Sequence, residues 1–428
     1  MNDTVALPDP ATTVAATPSA ASTGFYEKLV MLSLKPFVHG GLRMIYPDGS
    51  VRLLGQTGAP ITAEMRIRSA EFFKRCALFG NVGFGESYVD GDWDTDDIAA
   101  VISWFILNLA KTQGGKSSSG KLAFVNLLRG VNRVHRLLRP NSVTISRRNI
   151  AEHYDLGNEF YKLWLDETMT YSSARFEHEG QSLADAQRSK YEALCQKLQL
   201  KPSDHVLEIG CGWGGFCCHA AKNYGCRVTA VTISEEQRKY ATDRVAREGL
   251  SDRVEIRLQD YRHIEGKFDK IASIEMLEAV GNKYLETYFA KCAEVLKPDG
   301  LLAFQMITVA DSQHKDLRKG VDWIQKHIFP GSLLLSVGRV NEAINRTGDL
   351  FMHGLEDLGA SYAKTLHLWY DSFNAKLDEV RAQGFDERFI RKWNFYLKYC
   401  EAAFAMRNIS VVQAVYTHPN NQSLHQKF

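Results

Sequence analysis

The chain has 428 residues, 45% of them apolar and 24% charged, an ordinary globular composition with length enough for two folded units. Lysine and arginine (52) nearly cancel aspartate and glutamate (50), so the net charge of +2 offers no cationic field for nucleic acid. The eight cysteines show neither the CxxC pairs of a zinc site nor a disulfide framework, which argues for a reducing cytoplasm and against a metal centre.

Residues 1–24, rich in Ala, Thr, Ser and Pro and without apolar period, read as a disordered leader. They lack the basic start and apolar run of a secretory signal, and nowhere does the chain approach the roughly 18 uncharged apolar residues needed to span a bilayer. Residues 25–140 read as a small α+β N-terminal domain. In it LRMIYPDGSVRLLG folds as two strands about a turn at Pro47, Asp48 and Gly49. The Gly/Ser-rich run from Thr112 to Lys121 reads as a flexible loop, and Lys121–Arg139 as a basic amphipathic helix that suits a membrane surface, a solvated face or dimer packing alike.

From about Asn141 to residue 428 short β-rich runs alternate with helical ones: HVLEIG, RVTAVTI, VEIRLQ, FDKIASI and GLLAFQMI. This alternation predicts a parallel sheet with helices on both faces, an α/β doubly wound domain. The segment from Phe351 to Ala405 reads as mostly helical and is dense in aromatics, among them Tyr362, Trp369, Tyr370, Phe373, Trp393, Phe395, Tyr396 and Tyr399. It is placed to cap the carboxyl edge of the sheet, where open α/β sheets bind ligands.

The first of these strands carries an acid into a glycine-rich turn: Val206, Leu207, Glu208, Ile209, Gly210, Cys211, Gly212, Trp213, Gly214 and Gly215. Glycines there let backbone approach a ligand closely. A nicotinamide site would place its third glycine differently and end the second strand on an acid, and no GK[ST] follows to make a P-loop. S-adenosylmethionine carries no phosphate. Its ammonium, ribose and adenine require an acid and polar groups, which Glu208, the run Thr232, Ile233, Ser234, Glu235, Glu236 and Gln237, and the pair Asp260 and Tyr261 supply.

These segments resemble the cyclopropane-fatty-acyl-phospholipid synthase family, relatives of the mycolic acid methyltransferases. The resemblance runs from about Ile150 to the end through HYDLGNEFYKLWLDETMTYSSARF, VLEIGCGWGGF, VTISEEQ, SIEMLEAVG, HIFPGSLL and YLKYCEAAFAMRNISVVQ, and GESYVDGDWDTDDI extends it into the N-terminal domain. It implies a Rossmann-like class I S-adenosylmethionine-dependent methyltransferase fold with an aromatic helical cap. Cofactor contacts then fall at Tyr171, Ser172, Val206 to Gly214, Thr232 to Gln237, Asp260 and Tyr261. It also implies an unsaturated membrane phospholipid as substrate, transient contact with the inner membrane surface from the cytoplasm, and a homodimer formed through the N-terminal domain.

The chemistry implied is attack of an acyl-chain alkene on the sulfonium methyl, a carbocation stabilised by aromatic faces, and removal of a proton so that a ring closes. In the bacterial synthases of the family that base is thought to be bicarbonate. Glu278, Tyr362 and the backbone of Ile307 match its binding groups, whereas Ser173 stands where those enzymes have Cys and Gln305 where they have His. Ala279 also replaces a His beside the acid. Cys400 matches a cysteine traditionally placed in the active site, although the alkene does the attacking and a buried structural thiol suits the chemistry better. His153 and His327 read as ordinary polar residues of loops and lids. The loss of the imidazole leaves a second outcome open, a methyl or methylene branch in place of the ring. A methyltransferase for a soluble small molecule and a catalytically dead lipid-binding protein are the remaining alternatives.

Overall fold

The computed structural model describes residues 24–112 and 156–424, apart from residues 57, 59 and 319. His153, residues 1–23 of the leader, residues 113–121 of the Gly/Ser-rich run and the run Lys121–Arg139 lie outside the described residues. Among those described, the strands form two sheets.

The first has the order β2-β1-β3-β4. Strands β1 (Gly41–Ile45) and β2 (Val51–Gly55) make the expected hairpin. Its turn is closed by Tyr46 N–H on the Ser50 carbonyl (2.9 Å) and tightened by Asp48, whose Oδ1 accepts from the Ser50 amide (2.9 Å) and hydroxyl (2.6 Å). Strand β3 (Ile61–Ile67) runs parallel to β1, and β4 (Trp93–Asp94) closes the edge. Helices Phe25–Leu34, Glu71–Phe79, Asn81–Val89 and Ile98–Thr112 accompany this sheet.

The second sheet has seven strands in the order β10-β11-β9-β8-β5-β6-β7. Strands β5 (His205–Ile209), β6 (Arg227–Thr232), β7 (Val254–Leu258), β8 (Phe268–Ile274) and β9 (Leu296–Thr308) are parallel, as read from the sequence. The central strands β5, β6, β8 and β9 are buried along most of their length, the pattern of a sheet covered on both faces. The chain leaves β5 towards β6 and β7, then returns to the other side of β5 for β8 and β9. That reversal puts a crevice at the carboxyl ends of β5 and β8.

One expectation is corrected. Phe351–Asp357 is not helical but forms β10, an edge strand antiparallel to β11 (Ser410–Thr417), which in turn pairs antiparallel with β9. Its residues alternate between exposed and half-buried, with a register shift between Met352 and Gly354. A strand that buries so little and pairs with a partner more than fifty residues on has almost no local signal. The aromatic helices Gly359–Asn374 and Glu387–Ala405 follow as expected.

The N-terminal sheet and this cap share one apolar core, which includes Phe84, Tyr88, Trp93, Trp323, Trp393 and Phe395. Helix Asn81–Val89 approaches so closely that a Cβ at Gly85 would lie 2.4 Å from Trp323 Cδ1 and 2.8 Å from Phe395 Cε1. Polar contacts follow the same seam: Glu86 Oε1 takes Lys326 Nζ (2.6 Å) and His327 Nε2 (2.9 Å), and the Arg391 guanidinium lies 4.1 Å from the Tyr88 ring centroid. His327 is thus a structural partner of Glu86.

Candidate active site

The turn after β5 is left-handed at Gly210, Gly212 and Gly214 (φ +87°, +51° and +82°), a path that side chains oppose. The amides of Gly210 and Cys211 bond to the Val231 carbonyl (2.9 and 3.1 Å), sewing the turn to β6. A Cβ at Gly210 would meet Met276 Cγ at 2.8 Å, so the segment after β8 lies directly against the turn. Ser273 Oγ, donating to the Ile209 carbonyl (2.9 Å), ties the same two strands.

Glu208 is buried at the end of β5, and its Oε2 lacks a hydrogen-bond partner. Burial raises its pKa to about 8, offset in part by bonds from Cys217 and by the charges of Arg244 and Lys190. Thr232 and Gln237 are buried and bonded to each other (Oγ1 to Oε1, 2.9 Å), while Ser234 caps helix Glu235–Arg247 by accepting from the Gln237 amide. Ile233 is half-buried. Glu235 and Glu236 are exposed, Glu235 turning to Arg238. Asp260 is buried, its Oδ1 taking the Arg262 amide and Nε (both 3.0 Å), and the buried Tyr261 hydroxyl has no partner. An acid with one unpartnered oxygen beside a glycine turn, with polar groups at the ends of β6 and β7, fits S-adenosylmethionine.

The segment from Asn158 to Phe176 lays aromatic rings between this turn and the cap. Tyr161 lies 5.1 Å from Trp213, whose Nε1 donates to Asn158 Oδ1 (2.7 Å). Tyr171 lies 5.4 Å from Trp164 and 5.3 Å from Trp369, and its hydroxyl is 2.8 Å from that of Tyr396. Ser172 Oγ accepts from Lys190 Nζ (2.6 Å). The faces of these rings suit a transient cation.

The groups matched to the base site do not gather on Glu278. Glu278 Oε1 accepts from the Ile307 amide (2.5 Å), Oε2 is buried without a partner, and the pKa is raised to about 8 by burial and by the neighbouring Glu275. The other three groups converge on Glu275, which the sequence reading passed over. Its Oε1 accepts from Ser173 N–H (2.8 Å) and Gln305 Nε2 (2.7 Å), and its Oε2 from the Tyr362 hydroxyl (2.8 Å). Ser173 therefore contributes its amide, while its hydroxyl donates to the Ala174 carbonyl (2.9 Å). Gln305 is held by a further missed residue, Gln413 on β11, whose Nε2 donates to Gln305 Oε1 (3.1 Å) and whose Oε1 accepts from Lys197 Nζ (2.6 Å). Lys190, also missed, is fully buried, with Nζ bonded to Ser172 Oγ and Gln187 Oε1 (2.7 Å). Burial lowers its pKa to about 7, against the attraction of Glu275, Asp166 and Glu208. The two acids three residues apart in SIEMLEAVG were the signal for Glu275.

Cys400 lies in the aromatic cap on helix Glu387–Ala405, and burial first, then Asp322, pushes its thiol well up. A half-buried thiol raised in this way is a weaker nucleophile at neutral pH than a free one.

Residues 141–414 match the family model described as mycolic acid cyclopropane synthetase. The chain is 36% identical over 403 residues to the tuberculostearic acid methyltransferase UfaA1 of Mycobacterium tuberculosis, covering 92% of this chain and 91% of that protein. It is 38% identical over 371 residues to the cyclopropane-fatty-acyl-phospholipid synthase of Escherichia coli K12, covering 85% and 91%. Among solved structures it is similar to the mycolic acid cyclopropane synthase CmaA1 complexed with SAH and CTAB. There the TM-score is 0.59 at 29% identity, covering 63% of this chain and 97% of that one. These likenesses bear out the α/β class I methyltransferase fold and the use of S-adenosylmethionine.

Proposed function

The chain belongs to the mycolic acid cyclopropane synthetase family, and from that premise we propose that it converts the cis double bond of an unsaturated phospholipid acyl chain to a cyclopropane ring. The observation that carries the reading is what gathers at the carboxyl ends of β5 and β8: a glycine turn preceded by Glu208, whose Oε2 has no partner, and the buried carboxylates of Glu275 and Glu278, the first bonded to Tyr362 of the aromatic cap.

When bound, S-adenosylmethionine supplies the electrophilic methyl that the alkene attacks. Glu208, Asp260, Thr232 and Gln237 hold its polar ends, and the turn from Gly210 to Gly214 accepts its body. The rings of Tyr171, Trp369 and Tyr362 exclude water and face the cation that forms on the acyl chain. Bicarbonate, which the resemblance implies, does not fit this arrangement: Ser173 N–H, Gln305 Nε2 and the Tyr362 hydroxyl are engaged by Glu275.

A substrate held in a bilayer requires contact with the membrane surface, and the reading includes that contact on the cytoplasmic face together with a homodimer. No helix among the described residues is long and apolar enough to cross a membrane. Purified protein incubated with labelled S-adenosylmethionine and vesicles of unsaturated phospholipid should yield acyl chains larger by one CH2 that resist hydrogenation. Transfer to soluble acceptors alone would sink the reading. A branched chain is the second reading, favoured by the likeness to a tuberculostearic acid methyltransferase over nearly the whole chain. It would appear as a methyl branch or as an alkene that takes up hydrogen.

A further inference from the structure

We propose that the Glu275 carboxylate is the base that takes the proton from the transferred carbon, in the place the resemblance gives to bicarbonate. The inference rests on the one-carbon transfer to an acyl chain and concerns what ends it.

The geometry gives Glu275 the donors of an anion site. An amide, a carboxamide and a phenol, on three segments far apart in sequence, all point at one carboxylate. Each favours the ionised form. Gln305 cannot turn its oxygen inward, because that oxygen accepts from Gln413. The backbone at Glu275 is left-handed (φ +48°), a conformation glycine takes freely and glutamate holds only at a cost of about 1 kcal/mol. Residues kept in such a conformation cluster at functional sites. Its own amide is bonded to the Gln305 carbonyl (2.8 Å), which fixes the side chain at the crevice beside Met276 and the Gly210 turn.

Two buried carboxyls that repel one another do not readily both ionise. Glu278, with one donor and an orphaned oxygen, holds its proton up to about pH 8. Burial raises the Glu275 pKa too, but Lys190 and the three donors oppose that rise, so of the two acids Glu275 is the one whose surroundings favour the ionised form. After the alkene has gained the methyl, a C–H bond of that methyl breaks and its electron pair forms the last carbon–carbon bond of the ring. The proton goes to Glu275, which becomes a neutral acid and returns it to water when the product leaves.

The test compares wild type and Glu275→Gly in carbon-dioxide-free buffer and with added bicarbonate, using vesicles of unsaturated phospholipid. Glycine suits the left-handed backbone, so the variant keeps its fold, checked by S-adenosylhomocysteine affinity in calorimetry. Wild type should form ring product at a rate indifferent to bicarbonate and leave the 13C-bicarbonate resonance unbroadened. The variant should lose ring formation by about 100-fold or more and regain part of it with bicarbonate, whose resonance it should broaden. A wild type that needs or binds bicarbonate, or a variant that closes rings at the wild-type rate without it, overturns the proposal. If the variant fails to bind S-adenosylhomocysteine, the wild-type arm decides alone. A wild type that transfers nothing to acyl chains contradicts the proposed function instead.

Discussion

Tyr362→Phe removes one bond from Glu275 and little else. The hydroxyl donates to Oε2 at 2.8 Å, while the ring keeps its packing against Phe404 (centroids 4.3 Å apart) and Trp369 (6.2 Å). A hydrogen bond to a charged group contributes about 1.5–3 kcal/mol, which at 1.36 kcal/mol per unit raises the carboxyl pKa by about 1–2 units. Ring formation depends on the ionised acid and is lost as pH falls through that pKa. The acid limb of the pH–rate profile should therefore move to higher pH by the same amount, with the plateau rate lowered much less. The phenol itself does not titrate in this range, because burial and Glu275 raise its pKa well above 10. The assay is the rate of acyl-chain conversion in vesicles across pH, with S-adenosylhomocysteine affinity measured at each point. An unshifted acid limb, or a uniform loss at every pH, would refute the reasoning.

Glu208→Gln should weaken S-adenosylhomocysteine binding by about 10- to 100-fold in calorimetry, the worth of one charge-assisted bond. The same change should steady the free protein in alkali. A carboxyl whose pKa is raised by burial contributes stability that is present below its unfolded value of 4.5 and lost as pH rises through about 8. The gain in thermal midpoint over wild type should accordingly grow from pH 5 to pH 9. Gln413→Leu should free Gln305 to turn, lowering kcat by about 10-fold with KM unchanged; a change in KM alone would make Gln413 a packing residue. Gly85→Ala forces a methyl against Trp323 and Phe395 and should destabilise the fold by about 1–3 kcal/mol in denaturant unfolding.

Strands β5, β6, β8 and β9 were legible because each is a short apolar run covered on both faces, and the edge strand β7 because its apolar residues Val254, Ile256 and Leu258 alternate with charged ones. The cofactor turn was legible because only glycine follows its path at Gly210, Gly212 and Gly214. Strand β10 was not, since a half-exposed edge strand owes its form to a distant partner. The choice between Glu275 and Glu278 was hidden for a related reason. Which acid faces the donors depends on the left-handed backbone at Glu275 and on groups brought from positions 173, 305 and 362, and nothing local to SIEMLEAVG specifies that meeting. Lys190 and Gln413 look like the polar faces of ordinary elements until the fold buries them.

The central claim is that the transferred carbon loses a proton and closes a ring. S-adenosylmethionine carrying a fully deuterated methyl, supplied with vesicles of unsaturated phospholipid, tests it through the mass of the modified acyl chains before and after hydrogenation. The account predicts that two of the three deuterons are retained and that the product takes up no hydrogen. Retention of all three, or a product that takes up hydrogen, would contradict it.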